Sequence, residues 1–122
     1  MTTNSPAVRD LLDSCPQQSP RRRCFLLRVK PKYLAPYIED HQSVWEEMRQ
    51  ALSNAGWRNY SLFLDAETGM IVGYYEADDV QAAQEAIGTT DVNRRWQEAM
   101  ARYFLEPDGG QPQILSQYFY LP

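Results

Sequence analysis

Two hydrophobic periods alternate along most of this chain, and their order restricts the folds open to it more than any other feature. Cys24-Phe-Leu-Leu-Arg-Val-Lys30 has period two, with Phe25, Leu27 and Val29 on one face, and reads as a strand. Pro31 and Pro36 frame the start of a helix that runs to about Ala55, where Gly56 supplies a stop. Along it Leu34, Ile38, Trp45, Met48 and Leu52 trace a buried stripe. A second strand spans Trp57 to Leu64, with Tyr60, Leu62 and Leu64 on one side and Phe63 on the other. Asp65-Ala-Glu-Thr-Gly69 has hairpin-loop composition, and Met70 to Glu76 is the third strand. Asp78, with Gln81 three residues on, predicts a capped short helix ending near Gly88. Thr90 or Asp91 opens another helix, with Val92, Trp96, Met100 and Tyr103 as its buried stripe. Glu106 to Pro112 is a loop, and Ile114 to Leu121 is a final strand.

The order is βαββαβ, with the second helix broken in two. It predicts an α+β fold: a four-stranded antiparallel sheet with helices on one face, the ferredoxin-like arrangement. Met70, Val72 and Tyr74 alternate with Ile71 and Tyr75 in the third strand, so the sheet carries apolar groups on both faces. The face away from the helices therefore needs cover. A face-to-face homodimer, the dimeric α/β-barrel arrangement, would supply it.

Residues 1–23 differ from the rest. Asn4-Ser5-Pro6, the run Ser14 to Pro20 and Arg21-Arg22-Arg23 offer few large apolar groups, so the segment is expected to be a flexible leader before a domain of residues 24–122. A helical turn around Val8 to Leu12 fits the pattern there. Three arginines without interleaved aromatics read as solvated surface, and a net charge of -4 with pI near 4.9 does not invite nucleic acid or an anionic membrane. No apolar stretch approaches the roughly 20 residues that span a bilayer. The first residues lack the layout of a secretory signal. Cys15 and Cys24 make no disulfide framework, and together with one distant histidine they build no metal site. Two free thiols in a reducing cytoplasm is the simplest reading.

The single histidine, His41, has Tyr37 four residues before it and Trp45 four residues after. On a helix that spacing stacks phenol, imidazole and indole along one face. Such a group can stack on a small ring and move a proton near neutral pH, because an imidazole exchanges protons there. On spacing alone, a hydrogen-bonded core histidine is the commoner outcome.

Four segments carry a resemblance. They are Tyr37-x-x-x-His41-x-x-x-Trp45-x-Glu47, Asn59-Tyr60-x-x-x-Leu64-Asp65, Thr90-Asp91-Val92-x-x-Arg95-Trp96 with Met100, and the terminal Phe119-Tyr120-Leu121-Pro122. From Phe25 to Pro122 they resemble the L-rhamnose mutarotases. The resemblance implies a dimer of ferredoxin-like subunits that interconverts α and β anomers of a pyranose without metal or cofactor. It implies His41 as the general acid and Tyr37, Tyr60 and Trp96 as sugar contacts. The next site position is tryptophan in some relatives and Gln97 here, which can hydrogen-bond a hydroxyl but cannot stack. The proline often found just after the matching tryptophan is absent, since Glu46 follows Trp45. Trp96, Tyr60, Asp65 and Asp91 each also fit a plain structural role, as core, sheet packing, turn residue and helix cap. Two other functions remain open on the same scaffold: a cofactor-free monooxygenase and a non-catalytic sugar-binding domain. A structural role with the leader as a docking tail is a third.

Overall fold

A computed structural model describes residues 6–106 and 111–122. Helix α1 (Pro6–Asp13) is followed by strand β1 (Arg22–Arg28), then by α2 (Leu34–Gln42) and α3 (Glu46–Asn54). The hairpin of β2 (Arg58–Leu64) and β3 (Met70–Glu76) comes next, then α4 (Val80–Gly88), α5 (Asp91–Met100) and β4 (Gln113–Leu115). The sheet is antiparallel in the order β2-β3-β1-β4, which is the ferredoxin-like arrangement expected from the alternation. Phe25, Ile71 and Tyr75 point to the helices and are buried; Leu26 and Val72 point the other way and are half-buried.

The expected single helix from Pro36 to Ala55 is two helices. α2 ends at Gln42, Ser43 leaves helical geometry at φ -137°, and Trp45 stands at φ -52°, ψ 136° before α3. Ser43-Val44 favours helix weakly, whereas Glu46-Glu47 place two acids in the first turn of α3, where they complement its dipole. The expected stripe is corrected accordingly. Leu34 and Met48 are buried and Leu52 half-buried, but Ile38 and Trp45 are exposed.

Asp79 rather than Asp78 caps α4, its carboxylate accepting from the Gln81 and Ala82 amides, while Asp78 pairs with Arg58 at 3.0 Å. Of the two residues expected to open α5, Thr90 is the cap and Asp91, read above as a cap, stands in the first turn; Val92, Trp96, Met100 and Tyr103 are all buried as expected. Arg95 bonds both carboxylate oxygens of Glu47 at 3.0 Å and so ties α5 to α3; it also bonds Asp91. The last strand is much shorter than the expected span from Ile114 to Leu121. Past Leu115 the chain leaves β1 and runs beside residues 15–22. There the Cys15 thiol donates to the Tyr118 carbonyl, Gln17 accepts from the Tyr120 amide at 2.9 Å, and the Arg22 guanidinium lies 3.8 Å from the Tyr120 ring. Strand β1 begins at Arg22, two residues earlier than the sequence pattern suggests. The expected loop from Glu106 to Pro112 falls largely on 107–110, which lie outside the described residues. Cys15 and Cys24 are free cysteines.

The β2–β3 hairpin closes where backbones meet. Gly69 adopts φ +80°, and a Cβ there would sit 2.1 Å from the Val29 carbonyl oxygen, while the Val29 amide donates to the Gly69 carbonyl at 2.8 Å. Gly69→Ala is expected to destabilise the protein by roughly 2–4 kcal/mol, the left-handed penalty plus displacement of Val29. Urea unfolding measures it, and an unchanged midpoint would contradict this close approach.

Candidate active site

Helix α2 carries Tyr37 and His41 one turn apart, with ring centroids 4.4 Å from each other. His41 Nδ1 lies 2.8 Å from the Tyr37 carbonyl oxygen. A carbonyl oxygen only accepts, so Nδ1 carries the hydrogen and Nε2 is the nitrogen left to exchange a proton with a ligand. Tyr37 itself is buried, at 3% exposure, with its ring edge-on to Tyr103 and Phe104. That burial pushes its phenol up to about 12, so near neutral pH it is a neutral hydrogen-bond donor and not a base.

Trp96 comes to His41 from α5, its ring centroid 5.4 Å away at an interplanar angle of 85°. Trp45, in the break between α2 and α3, meets the same indole at 5.0 Å and 89°. The expected stack of Tyr37, His41 and Trp45 along one helix is therefore replaced by a cluster. Tyr37 and His41 touch directly, and Trp45 joins through Trp96. The break that the sequence pattern missed is what puts Trp45 there.

Tyr60 reaches the helix side of the sheet from β2, its ring 4.9 Å from Trp57, 6.1 Å from Tyr75 and 6.5 Å from Phe25. The residue is 40% exposed, yet its oxygen end is enclosed. That enclosure, followed by repulsion from the phenols of Tyr37 and Tyr75, holds its acidity below the ordinary value. Its ring contacts are with Trp57, Tyr75 and Phe25, on the helix side of the sheet. Gln97 is not brought into this cluster. It lies on the exposed side of α5, where its amide donates to Asn93 at 3.3 Å.

A second tier of contacts carried little sequence signal. Tyr103, behind Tyr37, donates to Asp40 at 2.7 Å and accepts from Arg102 at 2.6 Å. A cavity of about 380 Å³ opens against Trp45 and Trp96, with Asp40, Ser43 and Arg102 on its polar side. A larger one, about 660 Å³, lies elsewhere, between residues 18–24, the start of α4 and residues 114–117. It holds none of the clustered residues, whereas the smaller opening is walled by Trp45 and Trp96, with His41 behind the Trp96 indole rather than in the lining. Among the described residues, no three His, Cys, Asp or Glu side chains gather as metal ligands, and no helix is long and apolar enough to cross a membrane.

Comparisons with known proteins converge. Residues 22–121 match the sequence model of the L-rhamnose mutarotase family. An L-rhamnose mutarotase of Pectobacterium atrosepticum is 33% identical over 102 residues, covering 82% of this chain and 97% of that one. One of Enterococcus faecalis is 37% identical over 75 residues, 62% of this chain and 72% of the relative. The crystal structure of an L-rhamnose mutarotase from Formosa agariphila superposes with a TM-score of 0.71 at 23% identity, covering 83% of this chain and 98% of that one. An antibiotic biosynthesis monooxygenase superposes with a TM-score of 0.58 at 18% identity, covering 79% and 96%, a likeness of fold alone.

Proposed function

Because the chain belongs to the L-rhamnose mutarotase family, we propose that it interconverts the α and β anomers of L-rhamnose or a pyranose of similar shape, with His41 as the acid–base group. The observation that carries the reading is the His41 geometry: Nδ1 is committed to the Tyr37 carbonyl and Nε2 is left for the sugar, between a neutral phenol and an indole. Mutarotation breaks the bond between C1 and the ring oxygen and re-forms it on the other face of C1. As that bond breaks, the ring oxygen takes a proton and the anomeric hydroxyl loses one; closure reverses both transfers. In this reading His41 as the imidazolium gives its Nε2 proton to the ring oxygen while solvent water takes the proton of the anomeric hydroxyl, and closure returns both. Tyr37 donates a hydrogen bond where charge develops, Trp96 faces the C–H side of the ring, and Tyr60 contacts a hydroxyl from the sheet. Gln97 would reach the sugar only by turning from Asn93, so its part is confined to a hydroxyl at the rim. One positioned acid–base group supplies roughly 10²–10⁴-fold, enough for a reaction that is already facile in water. The chemistry belongs to residues 24–122, with 1–23 an addition outside it, and a reducing cytoplasm suits the two free thiols. Neither metal nor cofactor enters this scheme. Polarimetry tests it: freshly dissolved α-L-rhamnose should reach its equilibrium rotation faster with the protein present, and an unchanged rate would overturn the assignment.

The reading also includes a homodimer through the outer sheet face. Leu26 and Val72 are half-buried there, Leu115 is 36% exposed and Phe63 is 64% exposed, an apolar surface of the kind that partners cover. Since Phe63 is so exposed in the single chain, Phe63→Glu spares the core while placing a charge in the interface. Sedimentation equilibrium is expected to give twice the 14.2 kDa chain mass for the native protein and a shift toward that mass for the variant. A native protein that sediments as a single chain would contradict the dimer.

A further inference from the structure

We propose that Asn59 and Glu76 are positioning residues for the sugar site, holding strand β2 in a bulge that turns Tyr60 to the helix side of the sheet. The proposal deepens the function given above and rests on it for the sugar, but not for the geometry.

The ladder between β2 and β3 pairs Arg58 with Glu76 and resumes with Ser61 opposite Tyr74. Between those pairs β2 has two residues, Asn59 and Tyr60, against the single Tyr75 of β3, which defines a one-residue bulge. Side-chain direction alternates along a strand, so the extra residue decides which face Tyr60 occupies. Carrying the Arg58–Glu76 register forward without it would set Tyr60 opposite Tyr74, on the outer face. With it, Tyr60 lies on the helix side against Trp57, Tyr75 and Phe25.

The bulge is held in two ways. Asn59 takes φ +51°, and among the described residues it is the one non-glycine with positive φ. Asparagine tolerates that region better than most L-residues, yet the conformation persists only where surrounding contacts enforce it. Here the enforcing contact is a carboxylate shared between two strands. Asn59 Nδ2 donates to Glu76 Oε1 at 2.7 Å, and the Tyr74 hydroxyl donates to Glu76 Oε2 at 2.6 Å. The same two bonds, Tyr74 first, hold the Glu76 carboxyl below its ordinary range, so it stays an ionised acceptor. Neither Asn59 nor Glu76 touches the aromatic cluster. They act through Tyr60.

Three variants separate backbone from side chain. Asn59→Gly keeps the left-handed backbone and deletes the amide; Asn59→Ala penalises both; Glu76→Gln retains an acceptor for Asn59. The apparent L-rhamnose dissociation constant, read from tryptophan fluorescence, is expected to rise about tenfold in Asn59→Ala and by less in Asn59→Gly, with Glu76→Gln near native. Anomer exchange at saturating sugar should fall less than about threefold, the signature of a positioning loss rather than a lost acid. Lowered thermal stability with an unchanged dissociation constant in both Asn59 variants would overturn the proposal and make the clamp purely structural. A second readout needs no sugar. In ring-labelled tyrosine NMR spectra, the Tyr60 signals should move in both Asn59 variants while those of Tyr33 stay in place. Unmoved Tyr60 signals would overturn the proposal even in an active enzyme. A native protein that fails to speed anomer exchange would instead remove the assigned function and leave the Tyr60 comparison to decide the bulge.

Discussion

His41→Ala is expected to fold normally and to lose most of the catalysed anomer exchange, a drop of roughly 10²–10⁴-fold toward the uncatalysed rate. The two halves of that expectation rest on different observations. Stability should change by only about 1–2 kcal/mol, because His41 is half-buried at the end of α2 and gives up one hydrogen bond, to the Tyr37 carbonyl. Activity should collapse because no neighbour can replace the imidazole. Tyr37, one turn away, is held near 12 by burial and cannot exchange a proton at neutral pH. Tyr60 is displaced in the same direction. Asp40, at the cavity's polar side, is engaged by the Tyr103 hydroxyl at 2.7 Å. Circular dichroism checks the fold, and polarimetry the rate. A folded variant retaining near-native exchange would show that His41 is not the acid.

Trp96→Ala should have the second large effect, and it should be double. At 7% exposure, wedged edge-to-face between His41 and Trp45, the indole is core by any measure, and truncating it is expected to cost roughly 3–5 kcal/mol. The same change removes the flat wall beside the imidazole. Sugar binding should therefore weaken as well, in protein kept folded at low temperature. Trp96→Phe separates the two effects, since it keeps an aromatic face and restores part of the packing. If Trp96→Ala lost stability but bound L-rhamnose as tightly as the native protein, the residue would be core and nothing more.

Where side-chain period decides structure, the sequence was a reliable guide. The strands around Phe25 and Ile71 and the buried stripe of Val92, Trp96 and Met100 follow from spacing, and the start of α5 was placed to within one residue, Thr90 or Asp91. The break at Ser43 was hidden because Leu34, Met48 and Leu52 fit one continuous helical stripe, and only the docking of Trp45 on Trp96 shows that the chain turns. The cap fell one residue off because Asp78 and Asp79 are both competent, and Arg58, distant in sequence, claims the first. The final strand was overestimated because residues after Leu115 pair with the segment before β1 rather than with β1 itself, a long-range choice that alternation cannot reveal.

The site divides along the same line. Tyr37 and His41 were legible because their contact is local to one helix turn. Tyr60 and Trp96 became candidates only through resemblance, since in isolation each is an ordinary packed aromatic. Gln97, named by position, turns out to face solvent with Asn93 as its partner. Asn59 was quoted within a matching segment but given no role, although an asparagine inside a strand-like run disfavours a regular ladder, which is a usable signal for a bulge. Its partner Glu76 could not be found from sequence, because the pairing depends on the register of the hairpin.

The most direct measurement is NMR saturation transfer between the α and β anomeric protons of L-rhamnose at equilibrium near neutral pH, with native protein and with His41→Ala side by side. The account predicts transfer that is plain with the native protein and falls to the protein-free level with the variant. Transfer no faster with native protein than without it would contradict the account.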